Sequence, residues 1–292
     1  MIPYRKQAMP YSHAPRPTAS ASPAGPVDIR LVVTDMDGTL LDDDKKVPEG
    51  LWETLARLRE RGVLFTPASG RQYATLAAEF AEVADGMVFI AENGTYVVRD
   101  GEELSSDPLA PGVVARIMEA VRGLTSDGVD VGAVVCGKRS AYVERADEAF
   151  LAEVGRYYVR HRVVEDVTAV DDDIIKVALF AFGSAERTTA PALAPFADTH
   201  QVVVSGEHWV DVMNRTANKG AALRALQREL GITPAQTMVF GDYLNDLEML
   251  DAADWSFAMA NAHPEVVRRA RHLAPSNNDN GVLRTVTRLL DL

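Results

Sequence analysis

The chain has 292 residues, of which 47% are apolar and 25% are charged, and its formal net charge is −12. This length favours two globular domains, and the charge argues against a nucleic-acid backbone as the main partner, although a local Mg²⁺, lysine or arginine can still neutralise a small phosphorylated ligand. No apolar run approaches the roughly 20 residues that a membrane-spanning helix needs, so no membrane partner is expected.

The only cysteine and the N-terminal segment bear on the compartment. Cys136 excludes an internal disulfide and a multi-cysteine zinc site, which fits a cytoplasmic protein. It lies in an apolar run, so we expect a buried thiol.

Residues 1–27 are predicted to be a disordered tail, because the segment is rich in Pro, Ala and Ser and contains no Asp or Glu. No continuous apolar core follows its early positive charges, so a secretory signal is not expected.

Short apolar runs alternate with amphipathic stretches from residue 28 onward. The first five predicted elements alternate between strand and helix, beginning with a strand, and cover residues 29–33, 48–61, 63–65, 72–80 and 87–91. This order implies right-handed crossovers and a parallel sheet.

The C-terminal part of the chain again alternates between predicted strands and helices. Its predicted strands cover residues 209–212, 238–240 and 257–259, with a short one near Leu273, and its predicted helices cover 219–230, 245–250, 264–271 and 282–290. Between the two runs the pattern is mixed, with strands predicted at 96–98, 141–143 and 174–180 and helices at 113–121, 148–158 and 185–196. We therefore predict an α/β, Rossmann-like core of residues 28–96 and 205–292, with a separate α+β domain inserted at 97–204.

The first candidate site follows the first predicted strand. Asp35 and Asp37 lie two residues apart, and Gly38 allows a tight turn directly after them. Carboxylates at the C-terminal end of a parallel strand lie where open α/β sheets bind their ligands. One acid can attack a substrate or hold a metal ion while the other transfers a proton.

A second candidate site follows the second predicted strand, at Ser69, Gly70 and Arg71. A hydroxyl and free backbone N–H groups at a helix start form an anion site, and the guanidinium group of the arginine can bind a phosphate with two N–H groups.

A third candidate is Lys219 at the start of a helix. The helix dipole disfavours a positive charge there, so we expect the charge to interact with another group.

The fourth candidate site follows the strand predicted at 238–240. Asp242 lies at the strand end, and Asn245 and Asp246 lie near the start of a helix. With Asp35, these carboxylates can form an oxygen-only site for Mg²⁺. Each of the four motifs also has an ordinary structural interpretation by itself, such as an Asp-Gly turn, a helix N-cap or a solvated lysine.

The four motifs together resemble those of the haloacid dehalogenase-like phosphatases. Asp-x-Asp-Gly-Thr, Ser-Gly-Arg, Lys-Gly and Gly-Asp-x-x-Asn-Asp occur in this order, each at an expected element boundary. Within that superfamily the chain is similar to the Cof-type members, whose large type IIB cap lies between the second and third motifs, and Ser69 and Lys219 are 150 residues apart. Two further segments support the resemblance, Ala91-Glu92-Asn93-Gly94 and the stretch 277–282.

The resemblance implies phosphoryl transfer through an aspartyl-phosphate on a small phosphate monoester. It assigns Asp35 as nucleophile and Asp37 as proton donor and acceptor. Mg²⁺ is then held by Asp35, the backbone carbonyl of Asp37 and Asp242, with Asp246 supporting the metal or Lys219. The transferring phosphoryl group is expected to contact a hydroxyl, an ammonium and an amide: Ser69, Lys219 and Asn245.

Three other interpretations stay open at this point: a phosphomutase, a phospho-acceptor signalling module without turnover, and a degenerate binding protein. The substrate is expected to be chosen by the inserted domain, and the family's range runs from sugar phosphates to phosphorylated cofactors. Five residues in or near the inserted domain are candidates for substrate contact, each with an ordinary surface or packing role as the alternative: Arg160, His161, Arg162, His208 and Trp209. Neither the substrate nor the oligomeric state follows from the sequence.

Overall fold

A computed structural model describes residues 28–205 and 207–292. The predicted disordered tail, 1–27, lies outside the described residues. Nine α-helices are described: α1 Leu51–Glu60, α2 Tyr73–Glu79, α3 Pro111–Ser126, α4 Glu148–Tyr157, α5 Thr189–Leu193, α6 Lys219–Leu230, α7 Leu247–Leu250, α8 Pro264–Arg269 and α9 Gly281–Leu290. Short 3-10 helices are described at Glu92–Gly94, Val167–Ala169, Ala194–Phe196, Pro234–Gln236, Leu244–Asp246 and Asn277–Asp279.

The strands of the described residues form three sheets. The five-stranded sheet contains β1 Leu31–Thr34, β2 Leu64–Pro67, β12 Thr237–Gly241, β13 Trp255–Met259 and β14 His272–Ala274. The three-stranded sheet contains β3 Val88–Ala91, β4 Tyr96–Arg99 and β5 Glu102–Ser106. The six-stranded sheet contains β6 Val131–Gly137, β7 Ala141–Val143, β8 His161–Val163, β9 Ile174–Ala181, β10 His200–Val204 and β11 Trp209–Asn214.

The five-stranded sheet is wholly parallel, in the order β14-β13-β12-β1-β2, as the strand–helix alternation predicts. Strand β1, which is flanked by β12 and β2, is buried on both faces: Val32 packs into one apolar cluster, whereas Leu31 and Val33 pack into the cluster on the opposite face. This burial explains its continuous apolar sequence. Thr34 of β1 lies level with Phe240 of β12 and Pro67 of β2, so the residues that follow these three strands emerge side by side.

Helix α6 has the bounds predicted for it. Asn218 caps its start, because the side chain accepts a hydrogen bond from the Ala221 N–H at 2.7 Å. Gly231 ends it with a positive φ of 64°. The cap therefore places Lys219 in the first turn, facing the sheet.

The sequence pattern places residues 209–212 in the second run of the core, and this placement is wrong. The strand itself exists as β11, but it pairs antiparallel with β9 and β10 in the six-stranded sheet. Its short, largely apolar sequence is compatible with either sheet, and long-range pairing decides between them. We therefore propose that the inserted domain extends to Asn214 rather than ending at 204.

The third predicted strand also differs from the expectation. β3 belongs to the antiparallel sheet with β4 and β5, and one parallel bridge, between Ala68 and Ile90, connects it to the core sheet. Asp107, directly after β5, accepts hydrogen bonds from the side chains of Asn214 at 2.7 Å and Thr216 at 2.5 Å. The two chain crossings between core and insertion thus lie side by side, and we propose that the insertion begins near Asp107.

Candidate active site

The ends of β1 and β12 bring the first and fourth motifs together. Asp35 follows β1, and its N–H donates to the Phe240 carbonyl at 3.0 Å, so it continues the strand pairing. Asp242 follows β12 on the neighbouring strand. Gly38 has a φ of 83°, and a Cβ at this position would lie 2.5 Å from Oδ2 of Asp242. Glycine is therefore required where the first motif turns against the fourth.

Lys219 contacts two of the other predicted site residues. Its Nζ lies 2.5 Å from Oδ1 of Asp35 and donates to Oδ1 of Asp246 at 2.8 Å, and its side chain is fully buried. Burial alone would lower the pKa of Lys219, but the charges and hydrogen bonds of Asp246 and Asp35 outweigh it, so that the pKa is raised. The lysine therefore carries its charge at neutral pH, which accounts for its unfavourable place in the first turn of a helix.

Asp246 is oriented by the backbone as well as by the lysine. Its Oδ2 accepts N–H bonds from Asp242 at 3.0 Å and Tyr243 at 3.2 Å. Asp242 in turn accepts a hydrogen bond from the Thr39 hydroxyl at 2.8 Å. Both carboxylates are thus held in fixed orientations before any ligand binds.

A divalent cation fits this group of acids. Asp35, Asp242 and Asp246 each offer a carboxylate oxygen, and these oxygens lie within 4.8 Å of one another. Burial raises the pKa of Asp35 and of Asp242, and repulsion from neighbouring carboxylates adds to the rise. A bound cation relieves both effects, and an all-oxygen donor set is the one that Mg²⁺ prefers.

Asp37 lies outside that carboxylate group and has cationic partners of its own. Arg71 binds it with both prongs of the guanidinium group, Nε to Oδ2 and Nη2 to Oδ1, each at 2.8 Å. Lys45 lies 3.0 Å from Oδ1. Burial would raise the pKa of Asp37, but the hydrogen bonds and charge of Arg71, aided by Lys45, lower it overall. The side chain of Asp37 therefore lies apart from the three clustered carboxylates, and its proton transfer and the metal contact of its backbone carbonyl stay predictions.

The Ser69–Arg71 loop, residues 69–71, forms the side of the site next to β2. Ser69 is buried, and its hydroxyl accepts the N–H of Arg71 at 3.2 Å. Asn93 lies against Gly70, where an added Cβ would be 3.1 Å from its Oδ1. The same Oδ1 accepts a hydrogen bond from Asn245 at 3.1 Å, which connects the fourth motif with the second.

The structure thus groups Asp35, Lys219, Asp242 and Asp246 in one cluster, with the Asp37–Arg71 pair, Ser69–Gly70 and Asn245 around it. Sequence reasoning missed Thr39 and Lys45 as partners of these acids. Thr39 was detectable as the last residue of Asp-x-Asp-Gly-Thr. Lys45 gives no such local signal, because it lies in an acidic turn, with a φ of 63°, whose fold decides where the ammonium group points.

Comparisons with known proteins agree with this arrangement. A family model described as haloacid dehalogenase-like hydrolase matches residues 32–286. The chain is 34% identical to the 5-amino-6-(5-phospho-D-ribitylamino)uracil phosphatase YbjI of Escherichia coli, over 90% of this chain and 97% of that protein. It is 30% identical to the HMP-PP phosphatase of Cronobacter sakazakii, over 84% and 89% of the two chains.

Solved structures give the same result. The crystal structure of TM0651 from Thermotoga maritima superposes with a TM-score of 0.78 at 26% identity, covering 89% of this chain and 97% of that one. A structure from Eubacterium rectale superposes with a TM-score of 0.81 at 28% identity, covering 90% and 99%. The predicted fold class is thereby confirmed, and the chain belongs to the haloacid dehalogenase-like hydrolases and, among them, to the Cof-type phosphatases.

Proposed function

We propose that this phosphatase is Mg²⁺-dependent and hydrolyses the phosphate monoester of a small metabolite through an aspartyl-phosphate on Asp35. The observation that carries the proposal is the contact of Asp35 with the buried ammonium group of Lys219, at 2.5 Å, beside two further carboxylates at the sheet edge. A dianionic phosphate approaches a carboxylate only where positive charge screens the repulsion. Lys219 and Arg71 supply part of that charge.

In the first step, an oxygen of Asp35 attacks phosphorus while the ester P–O bond breaks. The leaving oxygen takes a proton from Asp37, and the phosphoryl group is then bound to Asp35. In the second step, water attacks phosphorus, its proton passes to Asp37, and the bond to Asp35 breaks to release inorganic phosphate. Asp37 therefore acts as an acid and then as a base.

Arg71 is placed to set the protonation state of Asp37. Because two N–H groups of Arg71 bind the carboxyl group, Arg71 lowers the pKa of Asp37 and favours the carboxylate. The carboxylate is the form that can accept a proton from the attacking water in the second step. A substrate phosphate that attracts the guanidinium group would weaken this hold and favour the protonated form for the first step.

Asp35, Asp242 and Asp246 are the side chains that would hold Mg²⁺. The ion, when bound, supplies charge that offsets the repulsion between phosphate and carboxylates. Relatives named as phosphatases of an aminouracil phosphate and of HMP-PP support a small phosphorylated metabolite as the substrate. We also expect a cytoplasmic location, because the lone cysteine is a buried free thiol.

Among the described residues, no helix is long and apolar enough to cross a membrane. The net charge of −12 continues to favour a small phosphorylated partner over a nucleic acid.

The test measures phosphate release by the purified full chain from sugar, nucleotide and vitamin phosphates, with Mg²⁺ and with excess chelator, beside Asp35→Asn. We expect release that requires Mg²⁺ and is abolished in the nearly isosteric variant, whose circular dichroism stays that of the parent protein. Full activity in chelator would reject the metal assignment, and retained turnover in Asp35→Asn would reject the nucleophile. Formation of an isomeric phosphate ester without free phosphate would indicate a mutase.

A further inference from the structure

A buried ion pair joins the six-stranded sheet to the core, outside the residues of the proposed reaction. Nζ of Lys176, on β9, lies 2.5 Å from Oε2 of Glu92, which follows β3. The two side chains are 3% and 1% exposed. Replacing such a pair by apolar residues is often neutral or stabilising, so stability alone does not account for it.

The lysine also reaches the Ser69–Arg71 loop. Its Nζ donates to the Gly70 carbonyl at 3.3 Å. The N–H groups of Glu92 and Asn93 donate to the carbonyls on either side, those of Arg71 at 3.0 Å and of Ser69 at 2.9 Å. Three successive carbonyls of the loop are therefore held by Lys176 and by the turn that Lys176 contacts.

That turn has an unfavourable backbone conformation. Glu92 and Asn93 have φ values of 49° and 58°, and Gly94 has 93°. A left-handed glutamate is uncommon, and such residues persist only where their surroundings hold them in place. Within the described part of the chain, neither carboxylate oxygen of Glu92 has a partner in hydrogen-bond geometry, so the ion pair with Lys176 is the main contact of this carboxylate.

A second contact joins the insertion to the residue after the loop. The Gln72 side chain donates to the Arg160 carbonyl at 2.9 Å and accepts the Arg160 N–H at 3.1 Å. The loop that carries Ser69 and Arg71 is thus bounded by contacts from the inserted domain at its centre and at its end.

We propose that Lys176 is a positioning residue of the phosphatase reaction. From the inserted domain, it holds Gly70 and the Glu92 turn so that Ser69 faces the phosphoryl group and Arg71 reaches Asp37. The loop is then complete only when the inserted domain is seated on the core. This inference rests on the proposed function, because it assigns the loop to phosphate binding.

The test compares three variants of the full chain with the parent protein. Lys176→Met removes the charge and the donor at similar length. Lys176→Met with Glu92→Gln avoids an unpaired buried carboxylate and is the variant expected to fold well. Lys138→Met is the matched control: within the described part of the chain, the ammonium group of Lys138 pairs with Glu103 at 2.8 Å and Asp173 at 2.9 Å and forms no ion pair with the loop.

For the double variant we expect kcat to fall by about 10²-fold, the loss that a misplacement of about 1 Å produces. KM should change much less, and Lys138→Met should keep the parent kcat. A double variant with the parent kcat and KM would overturn the proposal. So would an equal loss of kcat in Lys138→Met, which would indicate a general effect of charge in the inserted domain.

Amide hydrogen exchange supplies a readout that does not depend on turnover. In the double variant, the amides of Glu92 and Asn93 should exchange faster, while those of β6, in the same sheet as Lys176, keep the parent rate. A uniform change in exchange would indicate a structural role only and would contradict positioning. If the parent protein releases no phosphate from any substrate, the proposed function fails, whereas the exchange result still tests the loop contact.

Discussion

Two buried lysines serve two different regions of this molecule. Lys219, in the core, contacts the carboxylates of Asp35 and Asp246, with Asp242 nearby, so that its surroundings are acidic in excess. Lys176, on the inserted domain, forms an ion pair with one carboxylate, Glu92, and donates to a backbone carbonyl, while the buried Asp211 acts on both members of the pair through its charge. Three carboxylates around Lys219 attract a cation, whereas Lys176 connects two parts of the chain. We therefore propose a catalytic role for Lys219 and a positioning role for Lys176.

After the loss of turnover expected for Asp35→Asn, the largest effect is expected at Asp37, which also lies at the core site. Asp37→Asn keeps the shape of the side chain but cannot donate and accept the proton. We expect kcat to fall by about 10²–10⁴-fold, the usual contribution of general acid–base catalysis. Steady-state kinetics should be measured with a poor and a good leaving group, because the acid step matters more for the poor one. An unchanged rate on the poor leaving group would contradict the role of Asp37.

Lys219→Met tests the reactive lysine directly. The variant leaves Asp35 and Asp246 without their shared cation, so the phosphate is repelled and the nucleophile is no longer oriented. A fall in kcat of about 10²–10³-fold is expected, as for the loss of one donor that stabilises charge in a transition state. Circular dichroism must first show a folded protein. If Lys219→Met turned over substrate as fast as the control variant Lys138→Met, the reactive role of Lys219 would be contradicted.

Stability at varied pH should separate the regions further. Lys176→Met leaves Glu92 buried and unpaired, and we expect a loss of about 3–5 kcal/mol in the free energy of unfolding at neutral pH. Burial already raises the pKa of Glu92, and Lys176 is what opposes the rise, so the pKa rises further in the variant.

The folded variant then binds a proton that the unfolded chain releases. Its stability is therefore greatest below the ordinary pKa of a glutamate and falls as pH rises through the folded-state pKa. Urea unfolding between pH 4.5 and 8 measures this slope, with Lys176→Met and Glu92→Gln together as the control that lacks it. A single variant whose stability relative to the parent protein does not change with pH would contradict the unpaired buried carboxylate.

The smallest effect concerns Cys136, which lies opposite Lys176 on the neighbouring strand. Its side chain is fully buried, and burial raises the pKa of the thiol well above its usual range. The native protein should not react with iodoacetamide at pH 8, whereas the unfolded protein should be labelled once, as mass spectrometry can show. Stoichiometric labelling of the native protein would mean that the six-stranded sheet opens readily at this position.

The sequence by itself determined much of the core and pointed to the residues that the structure brings together at the sheet edge. Helix α6 has the predicted bounds because a cap residue and a glycine define its ends locally. The motif residues Asp35, Ser69, Lys219 and Asp242 could be placed because each follows a strand or begins a helix, and parallel strands bring those ends to one edge. The thiol of Cys136 was expected to be buried from its apolar neighbours alone, and it is.

Only the tertiary structure decided the sheet to which β11 belongs, the pairing of Asp37 with Arg71 and Lys45, and the contact of Lys176 with Glu92. A short, largely apolar strand does not indicate which strand it pairs with, and its partners are distant segments of the chain. Lys176 and Glu92 are 84 residues apart, and nothing local in either segment indicates that they meet. Local turns and caps follow from residue types along the chain, whereas charge pairing across a domain boundary follows from how the two domains pack.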